Sequence, residues 1–184
     1  MSERPWRPSK EEVAAAEGTA VPDVIAYDLS VLFCGINPGL YSGAVGHHFA
    51  RPGNRFWKAL YGAGFTDRVL SPFEDGSLEA AGLGVTNLVE RATAGAADLS
   101  TSELREGARA VETKVRCYRP AALAFLGMQA YRTAFARPRA VMGEQPEVIG
   151  ETRLWLLPNP SGAQARYQLD DLVSAFRSLR EGVQ

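Results

Sequence analysis

Ser30-Val-Leu-Phe-Cys-Gly-Ile-Asn-Pro-Gly39 is the most informative segment of this sequence. Its apolar first half and its turn-forming second half predict a buried strand that ends in a tight loop. Pro38 fixes its own φ angle and disfavours helical geometry at the preceding Asn37, so the Asn37 side chain is held stiffly at the strand end. Because ligands of open α/β sheets bind at the carboxyl ends of strands, this loop is a candidate ligand site.

The composition is that of an ordinary globular protein. Of the 184 residues, 46% are hydrophobic and 22% are charged, which predicts one domain with a sizeable core. We expect no membrane span and no secretory signal, and two distant cysteines without metal-ligand spacing predict a reduced, cytoplasmic protein. The formal net charge of −1 gives no overall basic surface, so any contact with nucleic acid must depend on local charge.

Strands and helices are predicted to alternate along the chain. Apolar runs predict strands at about residues 29–34, 82–90, 121–126, 147–149 and 153–157. Periodic apolar positions and end signals predict helices at about residues 10–17, 54–62, 104–118, 127–135 and 169–179. This alternation predicts an α/β fold, a three-layer α-β-α sandwich around a mostly parallel sheet of four to five strands. Residues 1–20 are predicted to form a flexible arm, and residues 21–184 a single domain.

Polar loops that begin near Gly35, Arg91 and Asn159 each follow a predicted strand, so they are expected to meet at one edge of the sheet. The sequence contains no Gly-Lys-Ser/Thr phosphate loop, no G-x-G-x-x-G segment and no G-x-S-x-G elbow. The adjacent His47 and His48 diverge in direction and lack a partner at ligand spacing. We therefore predict no metal and no cofactor.

Six short motifs in a fixed order carry a more specific signal. They are Gly35-Ile-Asn-Pro-Gly39, Gly46-His-His-Phe49, Gly53-Asn-Arg-Phe-Trp57, Val85-Thr-Asn-Leu-Val-Glu-Arg91, Asp98-Leu-Ser100 and Leu157-Pro-Asn-Pro-Ser-Gly162. Through them, residues 30–179 resemble the mismatch-specific uracil-DNA glycosylase and thymine-DNA glycosylase family. The resemblance implies a monofunctional glycosylase that flips uracil out of mismatched duplex DNA, lets water attack C1′, and so initiates base excision repair. Thymine and other damaged pyrimidines are further candidate substrates.

The resemblance also implies functions for individual residues. In the family, the asparagine at the position of Asn37 holds the attacking water, and the aromatic at the position of Phe49 stacks on the flipped base. The predicted base pocket consists of Ile36, Gly39, Phe49, Asn87 and Thr93. The alternatives that the residues themselves leave open are a turn residue for Asn37, core packing for Phe49 and sheet-edge capping for Asn87.

Asp98 is a second candidate catalytic residue. An amide such as Asn37 can orient a water but cannot act as a strong base, whereas a carboxylate can accept a proton from water. We therefore predict that Asp98 supplements or partly replaces Asn37 in activating the water. The alternative is a capping or solvated residue just before Ser100.

The segment after the last strand resembles the loop that relatives insert into the duplex from the minor-groove side. The predicted insertion loop contains Asn159, Pro160, Ser161, Gly162, Ala163, Gln164 and Arg166. Where relatives have a leucine or an arginine wedge, this chain has Ala163-Gln-Ala-Arg166, so Gln164 and Arg166 both stay candidates to fill the gap, and Arg166 could instead be solvated. Candidate phosphate contacts are Arg51, Arg55, Arg137 and Arg139.

The expected partner is double-stranded DNA that carries a mismatched or damaged pyrimidine, bound by a monomer away from any membrane. No catalytic lysine is evident near the motifs, which predicts hydrolysis without an imine-forming lyase step. Two alternatives are a non-catalytic module that binds mismatched or damaged DNA, and a small-molecule enzyme that uses the same sheet edge. The retained Asn37 and Phe49 argue against the first, and the absence of a cofactor motif argues against the second.

Overall fold

The structure is a computed structural model that describes residues 6–162 and 166–184. Its strands are β1 (Val31–Gly35), β2 (Leu83–Asn87), β3 (Ala122–Leu126), β4 (Gly143–Ile149) and β5 (Thr152–Leu157). Its α-helices are α1 (Lys10–Ala15), α2 (Leu40–Val45), α3 (Phe56–Gly62), α4 (Thr101–Tyr118), α5 (Met128–Ala134) and α6 (Leu169–Val183), and 3₁₀ segments cover Pro72–Ala81 and Ala96–Asp98. None of these helices is long and apolar enough to cross a bilayer.

The strands form one sheet in the order β2-β1-β3-β5-β4. β2, β1, β3 and β5 run parallel, and β4 pairs with β5 in the antiparallel direction. The chain leaves β1 toward one side to form β2 and returns to the other side to form β3. This reversal opens a crevice at the carboxyl edge beside β1, which is where doubly wound sheets bind their ligands.

Both faces of the sheet are covered by helices. Alternate strand residues such as Phe33 pack against α3 and α6, and their neighbours, such as Leu32, pack against α4 and α5. Because successive strand residues point to opposite faces, a strand buried on both sides must be continuously apolar, as β1 and β3 are. The predicted three-layer sandwich with a mostly parallel sheet is confirmed.

Two elements differ from the predicted boundaries. The segment between Gly35 and Gly53 contains the short helix α2, which begins after Gly39 and ends at Gly46 with a φ of 74°. The edge strand β4 begins at Gly143, earlier than predicted, and its pairing is irregular between Glu144 and Val148. Helix α2 was not predicted because Gly43 interrupts it, and only the end of β4 was predicted because an edge strand tolerates polar residues and proline.

The N-terminal segment lies partly against the domain. Residues 1–5 are outside the described residues, so for them a flexible arm stays a prediction. Ser9 and Glu12 form a capping box at the start of α1, and Ala16 is buried. The backbone N–H of Gly18 donates to the Ala92 carbonyl, and the Ala92 N–H donates to the Thr19 carbonyl. This part of the segment therefore packs against the loop that follows β2.

The two cysteines lie in different surroundings. Cys34 is buried in β1, and burial raises the pKa of its thiol. Cys117 is exposed near the end of α4. Because α4 ends where the chain turns into β3, Cys117 lies at the amino edge of the sheet, away from the crevice.

Candidate active site

A cavity lies at the carboxyl edge of the sheet and is formed by the loops that follow β1, β2 and β5. Eight of the residues predicted for the site line it, namely Ile36, Asn37, Gly39, Phe49, Asn87, Thr93, Asn159 and Ser161. The structure therefore brings together the predicted water-binding residue, the whole predicted base pocket and part of the predicted insertion loop.

The Asn37 side chain is held by its amide nitrogen. Nδ2 donates to the Arg91 carbonyl at 3.0 Å and to the Thr93 hydroxyl at 2.7 Å. The Thr93 hydroxyl in turn donates to the Gly95 carbonyl at 2.8 Å. A carbonyl oxygen can only accept, so the Arg91 carbonyl fixes which end of the amide faces it. The Asn37 carbonyl oxygen, Oδ1, receives no hydrogen bond from the described residues and is available in the cavity for a water.

Backbone contacts join the two loops that carry this network. The Thr93 N–H donates to the Pro38 carbonyl at 3.1 Å, and Gly39 and Thr93 form an isolated parallel bridge. The Arg91 guanidinium pairs with Glu103, which forms the capping box of α4 with Ser100. Hydrogen bonding from Arg91 lowers the pKa of Glu103 to about 2. The first turn of α4 thus anchors the residue whose carbonyl orients Asn37.

Phe49 is partly buried and lines the cavity. Its ring stacks on the buried Phe56, with ring centroids 4.2 Å apart and planes inclined by 25°. The φ angle of Phe49 is 52°, in the left-handed region that a bulky residue adopts rarely. Such a conformation persists only where the surroundings enforce it, which indicates that packing fixes the position of the ring.

Asn87 and His48 also line the cavity, and Asn87 lies next to Gly35. His48 is buried, and its Nε2 lies 2.8 Å from the Pro22 carbonyl, which can only accept a hydrogen bond. Burial lowers the pKa of His48, so the ring is neutral with its proton on Nε2. Nδ1 is therefore an acceptor, and the Asn87 Nδ2 lies 3.5 Å from it. This contact orients the Asn87 amide, with Oδ1 toward Gly35.

Close approach of these groups depends on the absence of a side chain at Gly35. A Cβ atom at this position would lie 2.7 Å from the Asn87 Oδ1 and 3.5 Å from the Phe49 ring. The first distance is too short for an oxygen and a carbon atom. Gly35 therefore lets Asn87 and Phe49 converge above the end of β1.

Asp98 lies apart from this arrangement. Its side chain is exposed, is not among the residues that line the cavity, and accepts a hydrogen bond from the Gly95 N–H at 3.1 Å. The Asp98 N–H donates back to the Gly95 carbonyl at 3.1 Å. This geometry favours the capping function for Asp98, and its predicted catalytic function stays a prediction.

The insertion loop is described on both sides of residues 163–165. Asn159 Oδ1 accepts from the Ser161 N–H at 2.9 Å, an Asx turn that stiffens the first half of the loop. Pro160 is buried, whereas Gly162 and Arg166 are exposed. Arg166 lies 5.7 Å from the Tyr167 ring centroid, measured from its Cζ atom. Gln164, the other wedge candidate, lies outside the described residues, as does Ala163 of the predicted loop.

The four arginines predicted to contact phosphate are in three different environments. Arg51 is exposed at the rim of the cavity. Arg137 pairs with Glu147 and, like Arg139, lines a separate groove between α5 and β4. Arg55 is half-buried and donates to three backbone carbonyls. Of these four, Arg51 alone is both exposed and at the cavity.

Comparison with known proteins identifies the family. Residues 22–180 match the model of the Uracil DNA glycosylase superfamily. The chain belongs to this superfamily. Membership supports DNA N-glycosylase activity and DNA as the partner, without distinguishing the mismatch-specific branch.

One solved structure resembles this superfamily member over nearly its whole length. It is a solution NMR structure from Methanosarcina acetivorans, of a protein provisionally described as a uracil DNA glycosylase. The TM-score is 0.54 at 17% sequence identity, and the match covers 89% of this chain and 98% of that chain. At this identity the similarity supports the fold alone.

Sequence reasoning missed the structural tasks of His48, which lines the cavity, and of Asp75, which contacts both histidines. Asp75 Oδ1 lies 3.0 Å from His47 Nδ1, and Asp75 Oδ2 accepts from the His48 N–H at 3.1 Å. In residues 6–162 and 166–184, no group of three or more His, Cys, Asp or Glu side chains could hold a metal ion. The histidine pair was considered only as a metal ligand, and a structural function could not be inferred because Asp75 is far away in the sequence.

Proposed function

We propose that this chain is a monofunctional, mismatch-specific glycosylase that excises uracil from duplex DNA. The observation that carries the proposal is the position of the Asn37 amide, whose nitrogen is bound to Arg91 and Thr93 while its oxygen is available in a cavity lined by Phe49. A flipped pyrimidine between Phe49 and Asn37 would have its glycosidic bond close to a water bound by Oδ1. One chain contains the whole arrangement, so we expect a monomer.

The reaction that this arrangement supports is hydrolysis. The water oxygen forms a bond to C1′ while the C1′–N1 bond breaks, and the electron pair of that bond leaves with the base. The water proton passes to solvent or to the departing base anion, since an amide cannot hold it. Asn37 therefore contributes orientation, and the reaction depends on a good leaving group such as uracil. No lysine is among the residues that line the cavity, which supports water rather than an amine as the nucleophile.

The Asn87 amide supplies selectivity for the base. His48 holds the amide so that Oδ1 is an acceptor and one Nδ2 hydrogen stays available. Uracil and thymine have a hydrogen on N3 and an acceptor at O4, which complement these two groups. Cytosine has an acceptor at N3 and a donor at N4, so it would meet like groups unless the amide turned over. The arrangement thus favours uracil or thymine over cytosine.

A set of oligonucleotides tests the proposal. The protein is incubated with duplexes carrying uracil opposite guanine, uracil opposite adenine or thymine opposite guanine, and with single-stranded uracil DNA, followed by hot alkali. We expect strand breaks that are fastest for uracil opposite guanine. Tight binding without breaks would instead indicate the non-catalytic DNA-binding module, and neither binding nor breaks would favour the small-molecule enzyme.

Two substitutions separate the candidate water-activating residues. Asn37→Ala should lower the single-turnover rate by about 10²-fold or more, because the water loses its orienting acceptor. Asp98→Asn keeps an acceptor for the Gly95 N–H, so it serves as the matched variant. If Asp98→Asn lowers the rate as much as Asn37→Ala does, the carboxylate takes part in catalysis. Unchanged cleavage by Asp98→Asn would establish the capping function alone.

A further inference from the structure

Arg55 contacts both sides of the predicted insertion loop. Its Nε donates to the Pro160 carbonyl at 3.3 Å, and its Nη2 donates to the Ser161 carbonyl at 2.8 Å. Its Nη1 donates to the Tyr167 carbonyl. The Arg55 N–H also donates to the Pro160 carbonyl, at 3.1 Å. Three nitrogens of one guanidinium therefore bind backbone oxygens that precede and follow residues 162–166.

These contacts suit Arg55 to a second task, apart from its predicted phosphate contact. A guanidinium presents its donors in a rigid fork, so it can bridge several carbonyls at fixed separations, whereas a lysine ammonium is a single point of donation. Closing a loop at its base removes conformational freedom from the residues between the closed ends. Arg55 is also the residue next to Asn54, which lines the cavity, and it precedes Phe56, on which Phe49 stacks. It therefore links the insertion loop to the base pocket.

We propose that Arg55 is a positioning residue that clamps the two ends of the insertion loop and sets its position relative to the base pocket. The proposal rests on the proposed function, because it assumes that the loop fills the space left by a flipped base. A clamped loop loses less conformational entropy when it enters the duplex, and it enters at a fixed distance from Phe49. Arg55 thereby promotes excision from duplex DNA without touching the reacting atoms.

The contact of Gly162 with Gly53 supports the same link. A Cβ atom at Gly162 would lie 3.1 Å from the Gly53 carbonyl oxygen, so the two loops approach closely on the same side as Arg55. Gly53 and Arg55 belong to one motif, and Gly162 belongs to the other. The two motifs are therefore joined by backbone packing as well as by the guanidinium.

Limited digestion with trypsin tests the clamp without DNA. Trypsin cleaves after Arg166, next to the Tyr167 carbonyl that Arg55 holds. In Arg55→Ala and Arg55→Lys, we expect cleavage between Arg166 and Tyr167 to be about tenfold faster than in the wild type, because the restrained state no longer protects the bond. Arg139→Ala, a change at an exposed site away from both loops, should leave this rate unaltered. The lysine variant serves if the alanine variant fails to fold.

Cleavage assays test the consequence for DNA. Both Arg55 variants should lose about tenfold in single-turnover rate on a uracil–guanine duplex but less than about threefold on single-stranded uracil DNA, where no gap has to be filled. If the wild type does not cleave the single strand, a uracil bulge replaces it. Equal losses on both substrates, no loss on the duplex, or unaltered trypsin cleavage would each overturn the proposal. A wild type that cleaves no uracil DNA would instead refute the proposed function, while the trypsin result would still decide whether Arg55 restrains the loop.

Discussion

Two asparagines at the site owe their orientation to backbone carbonyl groups. Asn37 is oriented directly, because the Arg91 carbonyl can only accept its amide hydrogen. Asn87 is oriented through His48, whose proton is placed on Nε2 by the Pro22 carbonyl. Because these carbonyls belong to the backbone, no single side-chain change removes them. The pattern of donors and acceptors in the cavity is thus determined by the fold.

The buried His48 predicts a specific dependence of stability on pH. Burial lowers its pKa in the folded state, whereas in the unfolded chain the pKa is about 6.5. Below pH 6.5 the unfolded chain therefore binds more protons, and stability falls as the pH decreases until the folded-state pKa is reached. Above about pH 6.5, His48 is neutral in both the folded and the unfolded chain, so its contribution to the free energy of unfolding is constant. Below that pH, the free energy of unfolding changes through His48 by at most about 1.4 kcal/mol for each pH unit.

The matched variant for this effect is His48→Gln, whose side chain does not titrate. Denaturant unfolding at several values between pH 5 and pH 7.5 should show a free energy of unfolding that falls faster toward low pH in the wild type than in the variant. Asp75, Asp23 and His47 lie near the ring and are present in both proteins, so their effects cancel in the difference. Parallel curves for the two proteins would mean that the pKa of His48 is not lowered in the folded state.

Gly35→Ala should impair the base pocket with little effect on the rest of the fold. The new Cβ would lie 2.7 Å from the Asn87 Oδ1, so the amide must move away from the base. We expect a loss of about 10²-fold in single-turnover rate, because misplacement by a fraction of a bond length is sufficient for such an effect. Gly76→Ala is the control, since a Cβ there would meet nothing within 4 Å. Equal rates for the two variants would contradict the packing argument.

Residues were predictable where a local pattern fixed their position. The position of Asn37 follows from its motif, because a strand end and a proline restrict where the side chain lies, whereas Phe49 was predicted from the resemblance of Gly46-His-His-Phe49 to the family motif. The structural tasks of His48 and Arg55 depend on Pro22 and Tyr167, which are distant in sequence and carry no signal of contact. Asp98 was predicted as a catalytic residue from its chemistry, and its hydrogen bond to Gly95 could not be foreseen.

At the scale of elements, α4 determines the position of the loop that orients Asn37. Gly107 in α4 lies against Leu88, the residue that follows β2, and a Cβ atom there would overlap the Leu88 carbonyl. Arg91, three residues further along, is tied to the first turn of α4 through Glu103. The helix therefore contacts both ends of the segment that runs from β2 to Arg91.

Gly107→Ala should destabilise the protein through this contact. Backbone atoms cannot move aside like the end of a flexible side chain, so α4 must shift away from the sheet. We expect a decrease of about 1–3 kcal/mol in the free energy of unfolding, as is usual for overpacking. Arg109→Ala, on the exposed face of the same helix, is the control and should change stability by less than about 0.5 kcal/mol. A thermal or denaturant titration that finds both variants equally stable would contradict this interpretation.

Whole elements were predicted wherever burial imposed a regular pattern. The four parallel strands are short apolar runs, and α4 and α6 show apolar positions at helical spacing. The edge strand β4 lacks such a pattern because it is largely exposed, and the short helix α2 lacks one because it buries a single residue. An element that buries few side chains has no regular apolar pattern in its sequence.

At the scale of the molecule, a net charge of −1 means that long-range attraction contributes little to DNA binding. Contacts at the rim of the cavity must supply the charge, and Arg51 is the exposed arginine there. Arg51→Ala should reduce the slope of log affinity against log salt concentration by about one unit, the value for one phosphate contact. Arg109→Ala, a change at an exposed arginine of α4 that is not a candidate phosphate contact, should leave the slope unaltered. A slope that changes equally in both variants would show that Arg51 makes no specific phosphate contact.

The contrast between the two cysteines has a practical consequence for studies of this molecule. Cys34 is buried in β1, while Cys117 is exposed on the edge opposite the cavity. A maleimide dye should therefore attach at Cys117 alone in the folded protein, without any engineered residue, and should leave the DNA face unobstructed. The natural sequence thus provides one labelling position from which energy transfer to a fluorescent duplex can follow individual binding and release events.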